Sequence, residues 1–286
     1  LEGWVAEDTQ AYYASSSEYT VAGYSRIGDV LECAAIRSSS RWRNASLFRI
    51  ASDLLADYAV PILDSAADAD PIERHAIETG ESIAECIARA ARLRGVLLQD
   101  VGGYLALTRA GQQRTETVIE RTAGRTNVLR GQRRRSWRQR FSHYHFCGQT
   151  RATDELYGLD AAQIGNEIED RQVTRTRRYA VVAQADRRED LGRRAVLERN
   201  ARAGRSERLV YEVSGTKTAE GGLWRPNTLV RVRDDWFDVD AEMLVVRATH
   251  RSSRRPARHR TELELTRPEA FSEAEYPTRR RGHGWR

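Results

Sequence analysis

The chain has 286 residues and a mass of 32.5 kDa, a length that predicts two or three domains rather than a single core. Hydrophobic residues make up 40% and charged residues 31%, which is typical of a globular protein and excludes a disordered one. No apolar run approaches the ~18 residues that cross a bilayer. Three cysteines are too sparse a set to predict a disulfide framework.

The formal net charge is +6 and the pI is about 9.5, yet the basic residues are almost all arginine. Lys217 is the only lysine among 47 basic residues, and 41 acidic residues are available to pair with them. Phosphate recognition accepts either kind of cation, so this content indicates a compositional bias of the coding genome. We therefore do not expect nucleic-acid binding to be the primary role.

Residues 1–37 carry the β-branched and aromatic residues of β-strands. Tyr19–Gly23 and Asp29–Cys33 are the predicted strands, and Gly23 and Gly28 mark the turns between them.

A helix is predicted for residues 44–58, where apolar side chains recur at three- and four-residue spacing. Asn44 is the expected N-cap, and Val60–Pro61 is expected to end the helix.

A second helix begins at Ser82 and Glu85, whose spacing predicts a capping box, and Gly95 is placed to close it. Val96–Asp100 and Tyr104–Thr108 follow directly and predict a hairpin. Helix, loop, helix and hairpin would form one compact α/β unit.

The rest of the chain is mostly of strand character. Arg133–Arg135 is expected to be a solvated turn, and residues 187–203 predict a third helix with a thin apolar stripe at Leu191 and Ala195. Strands spaced regularly through residues 209–265 fit a small barrel or sandwich.

The expected fold class is therefore α+β and multi-domain, with two small β-barrel-like domains and an inserted helix–helix–hairpin α/β unit. The expected boundaries are 1–37 with 113–150 for the first barrel-like domain, 38–112 for the inserted unit, 151–186 for a connecting arm, 187–272 for a helix plus the second barrel-like domain, and 273–286 for a flexible tail.

Clusters of chemically active residues are present but do not predict a site. His143–Cys147 alternates two histidines with a cysteine, yet it lacks a fourth zinc ligand and the usual spacing. The carboxylates of Asp234–Asp240 lack the glycine and closing glutamate of an EF-hand. Glu78, Glu81 and Glu85 could supply an acid and a base, but acidic residues at a helix start are stabilising in any case. We expect no catalytic, cofactor or metal site.

Gly222–Asn227 predicts a turn that leads into a strand. Gly222 would permit the turn, Trp224 would plug the end of a barrel, and Pro226 would fix the backbone before the strand resumes. Ligand stacking on Trp224 is the alternative, and it is disfavoured because no polar pocket is indicated nearby.

The order of these segments resembles the Mu-like phage baseplate hub proteins, which are related in fold to other contractile-tail hubs and to the base of VgrG spikes. The matching segments are Gly23–Ala35, Trp42–Leu47, Gly80–Ile83, Asn127–Leu129, Arg140–Tyr144, Gly222–Asn227 and Pro268–Phe271. The residues that carry the family motifs are Trp42, Asn44, Gly80, Glu81, Gly222, Trp224, Pro226, Asn227 and Phe271. The strands that begin the family's first barrel would precede Leu1, so we expect that barrel to be incomplete here. Tyr24 and Ser82 depart from the family pattern without threatening the fold.

The resemblance implies a non-enzymatic structural subunit that forms a homotrimeric ring between the tail tube and the central spike. Its channel would carry the tape measure protein and later DNA, which would touch this chain only in passage. Further implied partners are a distal tail protein and the baseplate wedge proteins, with no membrane binding. The implied location is the tail baseplate of a virion assembled in the host cytoplasm. A tail-associated peptidoglycan hydrolase and a basic nucleic-acid-binding module remain the alternatives.

Overall fold

A computed structural model describes residues 3–148, 164–182, 188–254 and 257–273. Within these ranges the fold has five separate β-sheets and a small number of helices, which confirms the expected α+β class, whereas the barrel-like form of the two domains stays a prediction. The chain divides into two compact units, Leu1–Arg109 and Ala110–Arg286. None of the helices within the described ranges combines the length and apolar character that a bilayer-spanning helix requires. The predicted tail beyond residue 273 lies outside the described residues.

The first unit opens with a two-stranded antiparallel hairpin and continues into a helical core flanked by short strands. Its strands are β1 (Gly3–Tyr13), β2 (Ser16–Ser25), β3 (Arg41–Ala45), β4 (Ile62–Asp64), β5 (Ile72–Ala76), β6 (Leu97–Val101) and β7 (Tyr104–Thr108). Its helices are α1 (Gly28–Glu32), α2 (Leu47–Leu55) and α3 (Ile83–Leu93).

The strand predicted over Asp29–Cys33 is wrong, because this segment forms most of α1. The Leu31 and Cys33 amides donate to the carbonyls of Ile27 and Asp29 at 3.3 and 2.8 Å. Val30 is buried in the core of the unit. A helix of five residues is too short for its apolar residues to show a helical period, so its composition alone suggested a strand.

The predicted N-cap of α2 is also wrong. Ser46 caps the helix instead, and its hydroxyl accepts a hydrogen bond from the Arg49 amide at 3.2 Å. Asn44 lies within β3 and has a φ of +48°, a conformation that asparagine tolerates better than most residues. It therefore belongs to the bend that leads from β3 into α2.

The second helix is confirmed in detail. The Ser82 hydroxyl accepts from the Glu85 amide, and the Glu85 carboxylate accepts from the Ser82 amide, so the capping box is complete. Gly95 has a φ of +61° just after α3, and β6 and β7 form the predicted hairpin.

The second unit contains a six-stranded sheet in the order β8–β14–β15–β16–β13–β9. A three-stranded sheet in the order β11–β10–β12 packs against the long helix α4. The strands are β8 (Gln113–Arg121), β9 (Val128–Arg135), β10 (His143–Gly148), β11 (Ile164–Glu169), β12 (Arg178–Val182), β13 (Glu207–Ser214), β14 (Thr228–Asp234), β15 (Val239–Arg254) and β16 (Ala257–Thr266). The helices are α4 (Arg188–Ser206) and a 3₁₀ helix (Pro268–Phe271).

The strand pairing differs from the expected grouping of residues 113–150 with residues 1–37. β8 pairs in parallel with β14, and β9 pairs antiparallel with β13, so both strands belong to the sheet of residues 207–266. Alternation of apolar and polar residues identifies strands but does not identify their partners. The grouping of strands into sheets therefore could not be predicted from the sequence. Arg133–Arg135, expected to be a turn, is the end of β9.

The predicted connecting arm, 151–186, is ordered where it is described. Residues 164–169 and 178–182 form β11 and β12 on either side of β10, whereas residues 151–163 and 183–186 lie outside the described ranges. α4 confirms the predicted third helix and extends to Ser206. Leu191 and Ala195 are fully buried against Tyr144 of β10.

Candidate assembly surfaces

The family-motif residues of the first unit hold its core together. The indole Nε1 of Trp42 donates to Asp53 at 3.0 Å, and its ring lies 5.8 Å from that of His75 on β5. Asp53 also accepts from Arg49 one turn earlier on α2. Trp42 therefore fixes the short β3–β5 ribbon to α2.

Glu81 fixes the start of α3. Its carboxylate accepts the Glu78 amide at 2.6 Å and pairs with Arg89 at 2.8 Å, while Arg89 also donates to the Ala76 carbonyl. Burial alone would raise the pKa of Glu81, but these hydrogen bonds hold it below its ordinary value. Gly80 lies in the turn directly before Glu81 and has a φ of +84°.

The motif residues of the second unit lie in the segment before β14 and in the 3₁₀ helix after β16. Trp224 is 3% exposed and packs in the core of this sheet, and its role as the plug of a barrel stays a prediction. The left-handed glycine of the preceding turn is Gly221 rather than Gly222, which instead accepts the Thr218 amide through its carbonyl. Pro226, two residues after Trp224, is half-buried.

Asn227 and Phe271 complete the motif set. The side-chain oxygen of Asn227 accepts the Gly111 amide at 2.8 Å, and its own amide donates to the Val245 carbonyl at 2.7 Å. Phe271 is half-buried at the end of the 3₁₀ helix, beside Ala270, which lies against Gly204 of α4. The motif residues thus fall into two groups, one in each unit, and all of them contribute to packing or turns.

A buried cysteine, a buried histidine and a half-buried glutamate come together in the first unit, and no sequence pattern predicted this cluster. Nε2 of His75 lies 3.3 Å from the Cys86 sulfur, and Glu81 is a further neighbour of that thiol. Burial and the Glu81 carboxylate raise the pKa of Cys86 to about 12, so the thiol stays protonated. Cys86 has no exposed surface, and a buried thiol is not a nucleophile available to substrate.

The other clusters weighed from the sequence have structural contacts. Asp234 is buried and accepts the Tyr211 hydroxyl and the Phe237 amide, each at 2.9 Å. Asp240 pairs with Arg231 at 2.5 Å. Throughout the described ranges, no group of three or more His, Cys, Asp or Glu side chains is placed to hold a metal ion.

The hairpin β1–β2 carries the most exposed apolar surface of the first unit. Tyr12 is 91% exposed, and it shares one face of the hairpin with Tyr19 and Val21. The exposed large apolar residues of the hairpin are Trp4, Val5, Tyr12, Tyr13, Tyr19 and Val21. Residues 3–25 also include three carboxylates and no basic residue. This hairpin is therefore an acidic, tyrosine-rich surface.

The arginines of the second unit form an internal framework that sequence reasoning missed. Arg140 pairs with Asp170 at 2.6 and 3.1 Å, and both side chains are buried. Arg177 lies 4.6 Å from the centre of the Phe141 ring, and Arg202 lies 4.0 Å from the centre of the Tyr179 ring. Only tertiary structure brings these residues together, because they come from four separate segments of the chain.

Comparisons with known proteins agree with this architecture. Residues 27–109 match the family model for the second domain of gp44-like baseplate hub proteins, and residues 188–274 match the fourth domain of the Mu phage baseplate assembly protein GpP. The chain is 30% identical over 257 residues to baseplate hub protein gp44 of Escherichia phage Mu, covering 86% of this chain and 67% of that protein.

Two solved structures share the fold. The 43 kDa tail protein of prophage MuSo2 from Shewanella oneidensis is 27% identical with a TM-score of 0.79, covering 93% of this chain and 78% of that one. A tail protein from Neisseria meningitidis MC58 has a TM-score of 0.80 at 21% identity, covering 94% and 82% of the two chains, and it supports the fold alone.

Proposed function

The chain belongs to the family of Mu-like phage baseplate hub proteins, and from this membership we propose that it is a structural subunit of a tail baseplate. We propose that three copies form a ring between the tail tube and the central spike, with barrel-like domains around a channel for the tape measure protein and DNA. The observation that carries the proposal is the sequence relationship with the Mu hub protein, which extends into both compact units.

The surface of the first unit supports association with further copies. A two-stranded hairpin is at best marginally stable by itself in water, and β1–β2 has no third strand within the described residues. Contiguous exposed apolar residues such as Tyr12, Tyr19 and Val21 mark interaction sites in soluble proteins. Burial of this hairpin against a neighbouring copy would stabilise both partners.

The free edges of the large sheet support the same proposal. β8 and β9 end the sheet order, and they approach each other at the bridge between Arg121 and Thr126. Pairing or covering such edges is the usual way in which a protein avoids uncontrolled aggregation. A ring of identical subunits covers them in a defined geometry.

We propose that the protein is not an enzyme and binds no cofactor. The residues with strongly shifted pKa values are packed in the core or in structural hydrogen bonds, as Cys86 and Glu220 are. The proposed partners are the central spike, the tail tube or distal tail protein, the tape measure protein and the wedge proteins. The proposed location is the baseplate of a tail assembled in the host cytoplasm.

The oligomeric state tests the proposal. Light scattering coupled to size exclusion, with the chain at tens of micromolar and with its spike protein added, should give three copies of the 32.5 kDa chain. Replacing Tyr12 and Tyr19 together with serine should weaken the trimer, whereas Tyr104→Ser, at an exposed tyrosine on β7, should not. A chain that stays monomeric both alone and with the spike protein would contradict the proposed ring.

A further inference from the structure

The two compact units carry opposite net charges. Of the 41 acidic and 47 basic residues, 16 and 10 lie in the first unit, which gives Leu1–Arg109 a net charge of −6. The remaining 25 and 37 give Ala110–Arg286 a net charge of +12. Like units of two copies therefore repel each other, whereas unlike units attract. This asymmetry favours an association in which the first unit of one copy meets the second unit of another.

One hairpin of the second unit carries a dense group of positive charges. Residues 247–260 include six arginines and two histidines and no acidic residue. β16 pairs with β13 only as far as Arg260, and β15 pairs with β14 only as far as Leu244. Beyond the sheet, and within the described residues, Arg251–Arg254 pairs with Ala257–Arg260 alone. We call this two-stranded projection the basic arm.

The base of the basic arm contains a repulsive pair. Arg251 lies directly opposite Arg260 in the β15–β16 ladder, and like charges in that position are destabilising. Glu212 pairs with Arg260 at 2.5 Å. The Glu262 carboxylate is 3.9 Å from Arg251, which is beyond hydrogen-bond distance. The carboxylates of the same sheet therefore neutralise only part of this charge.

The outer part of the basic arm lacks nearby carboxylates altogether. Arg254 and Arg258 are exposed, and neither has a carboxylate within 4.0 Å in the part of the chain that the structure describes. A two-stranded ribbon is also marginally stable by itself. A partner that supplies carboxylates would both neutralise these arginines and stabilise the ribbon.

The hairpin β1–β2 of the first unit has the opposite charge. Residues 3–25 contain no basic residue, and Arg26 is the first one after them. The exposed carboxylates of the hairpin are Glu7, Asp8 and Glu18. Their directly opposite partners in the ladder are the neutral residues Ala22, Val21 and Ala11. None of the three carboxylates has a basic group within 4.0 Å among the described side chains, so this hairpin is a complement to the basic arm.

The aromatic residues of the same hairpin suit arginine as well. Tyr12 and Tyr19 are exposed on one face of β1–β2. Guanidinium groups stack on aromatic rings, and Arg202 already lies 4.0 Å from the ring centre of Tyr179 within this chain. The hairpin therefore offers an arginine-rich partner both carboxylates and aromatic faces.

We propose that the basic arm of one copy docks on the β1–β2 hairpin of a second copy, with its arginines against the hairpin carboxylates and tyrosine rings. This inference rests on the proposed ring and names one contact that holds it together. The contact joins different surfaces of the two copies, so it is head-to-tail and can close into a ring. Nucleic acid is the other anionic partner for such an arm, but it would leave the acidic hairpin without a partner.

Charge reversal tests the contact by sedimentation velocity over a range of concentrations at ~0.05 M salt, where exposed charges are screened least. An arm variant, Arg254→Glu with Arg258→Glu, should weaken self-association at least ~10-fold. A hairpin variant, Asp8→Arg with Glu18→Arg, should weaken it by a similar factor. A chain that carries all four substitutions should recover much of the association, because attraction is restored with its sign inverted.

A matched control excludes a general effect of net charge. Arg171→Glu with Arg175→Glu changes the charge equally at exposed positions between β11 and β12 and should leave association unchanged. Circular dichroism should show that all of these variants remain folded, since none of the substituted side chains belongs to the core.

Mixing the arm variant with the hairpin variant shows whether the contact joins two copies. The two variants should bind each other more tightly than either binds itself, because the reversed arm of one then meets the reversed hairpin of the other. An arm that met the hairpin of its own chain would give rescue in the chain with four substitutions but none on mixing, and that result would overturn the inference.

The remaining outcomes separate this inference from the proposed function. A trimer that survives the arm and hairpin variants unchanged would overturn the contact while leaving the ring intact. If the arm variant loses binding to a labelled DNA duplex at ~0.15 M salt and still forms the wild-type trimer, the arm belongs to nucleic acid and the contact is overturned. A wild type that stays monomeric both alone and with the spike protein would overturn both the contact and the ring.

Discussion

Removing Asp170 should destabilise the second unit severely, because it leaves a buried guanidinium without its counter-charge. The Asp170 carboxylate accepts two hydrogen bonds from Arg140 at 2.6 and 3.1 Å, and it also accepts the Gln172 amide at 3.1 Å. The Arg140 and Asp170 side chains are only 5% and 6% exposed. Breaking such a pair from one side costs about 3–5 kcal/mol, so Asp170→Ala should lose that much stability.

The experiment is urea unfolding followed by tryptophan fluorescence and circular dichroism. Arg140 stacks on Trp137 at 5.0 Å, so the fluorescence of that indole should report local loosening. The double variant Arg140→Met with Asp170→Leu removes both charges and should be far less damaging than Asp170→Ala. If Asp170→Ala loses less than about 1 kcal/mol, or the double variant is less stable than the single one, the buried ion pair does not stabilise the unit.

Three further predictions concern the first unit and the thiols. Glu81→Gln should lower the free energy of unfolding at neutral pH by about 1.5–3 kcal/mol. Because the pKa of Glu81 is held below its unfolded value, the difference in stability between wild type and variant should shrink as the pH falls through the folded pKa. A loss of stability in the variant that is equal at pH 7 and in acid would contradict the expected pH dependence. Gly80→Ala should lower the free energy of chemical unfolding by about 1–2 kcal/mol. Backbone strain is the only cause, since no atom lies within 4 Å of the added Cβ. Gly124→Ala is the control and should be neutral, because Gly124 is equally open but has no positive φ. In the native protein a thiol reagent should modify exposed Cys147 quickly and leave Cys86 unmodified until unfolding, and rapid native labelling of Cys86 would refute its burial.

Most local parts of the fold followed from the sequence, apart from the short helix α1, whereas the non-local parts did not. The capping box of Ser82 and Glu85 was predictable because both hydrogen bonds join residues three apart. The cap of α2 was misplaced by two residues, since Asn44 and Ser46 are both good capping residues and only the backbone conformation distinguishes them. Element ends are the least certain feature of any such pattern.

The pairing of strands was the main feature of the fold that could not be predicted from the sequence. β9 was recognisable as strand-like around Val128, but its partner β13 lies more than seventy residues later in the chain. Arg133 illustrates the same limit, because it pairs with Glu207 on that distant strand and so is not part of a solvated turn. A charge run in a sequence shows neither which carboxylates it meets nor whether it is buried.

The excess of arginine has a structural use that the net charge conceals. Arg177 donates to the carbonyls of Arg138 and Arg140 at 2.8 Å and also to that of Trp137, so one guanidinium closes the loop that leads into β10. A planar fork with five donors can satisfy several carbonyls at once, and a lysine ammonium on a single flexible stem cannot reproduce that geometry. An arginine held in this way cannot extend to follow a phosphate backbone, although its charge remains. The basic composition is therefore compatible with a subunit whose arginines fix its own loops, and the exposed apolar residues of the acidic hairpin are a better guide to the proposed assembly surface than the pI.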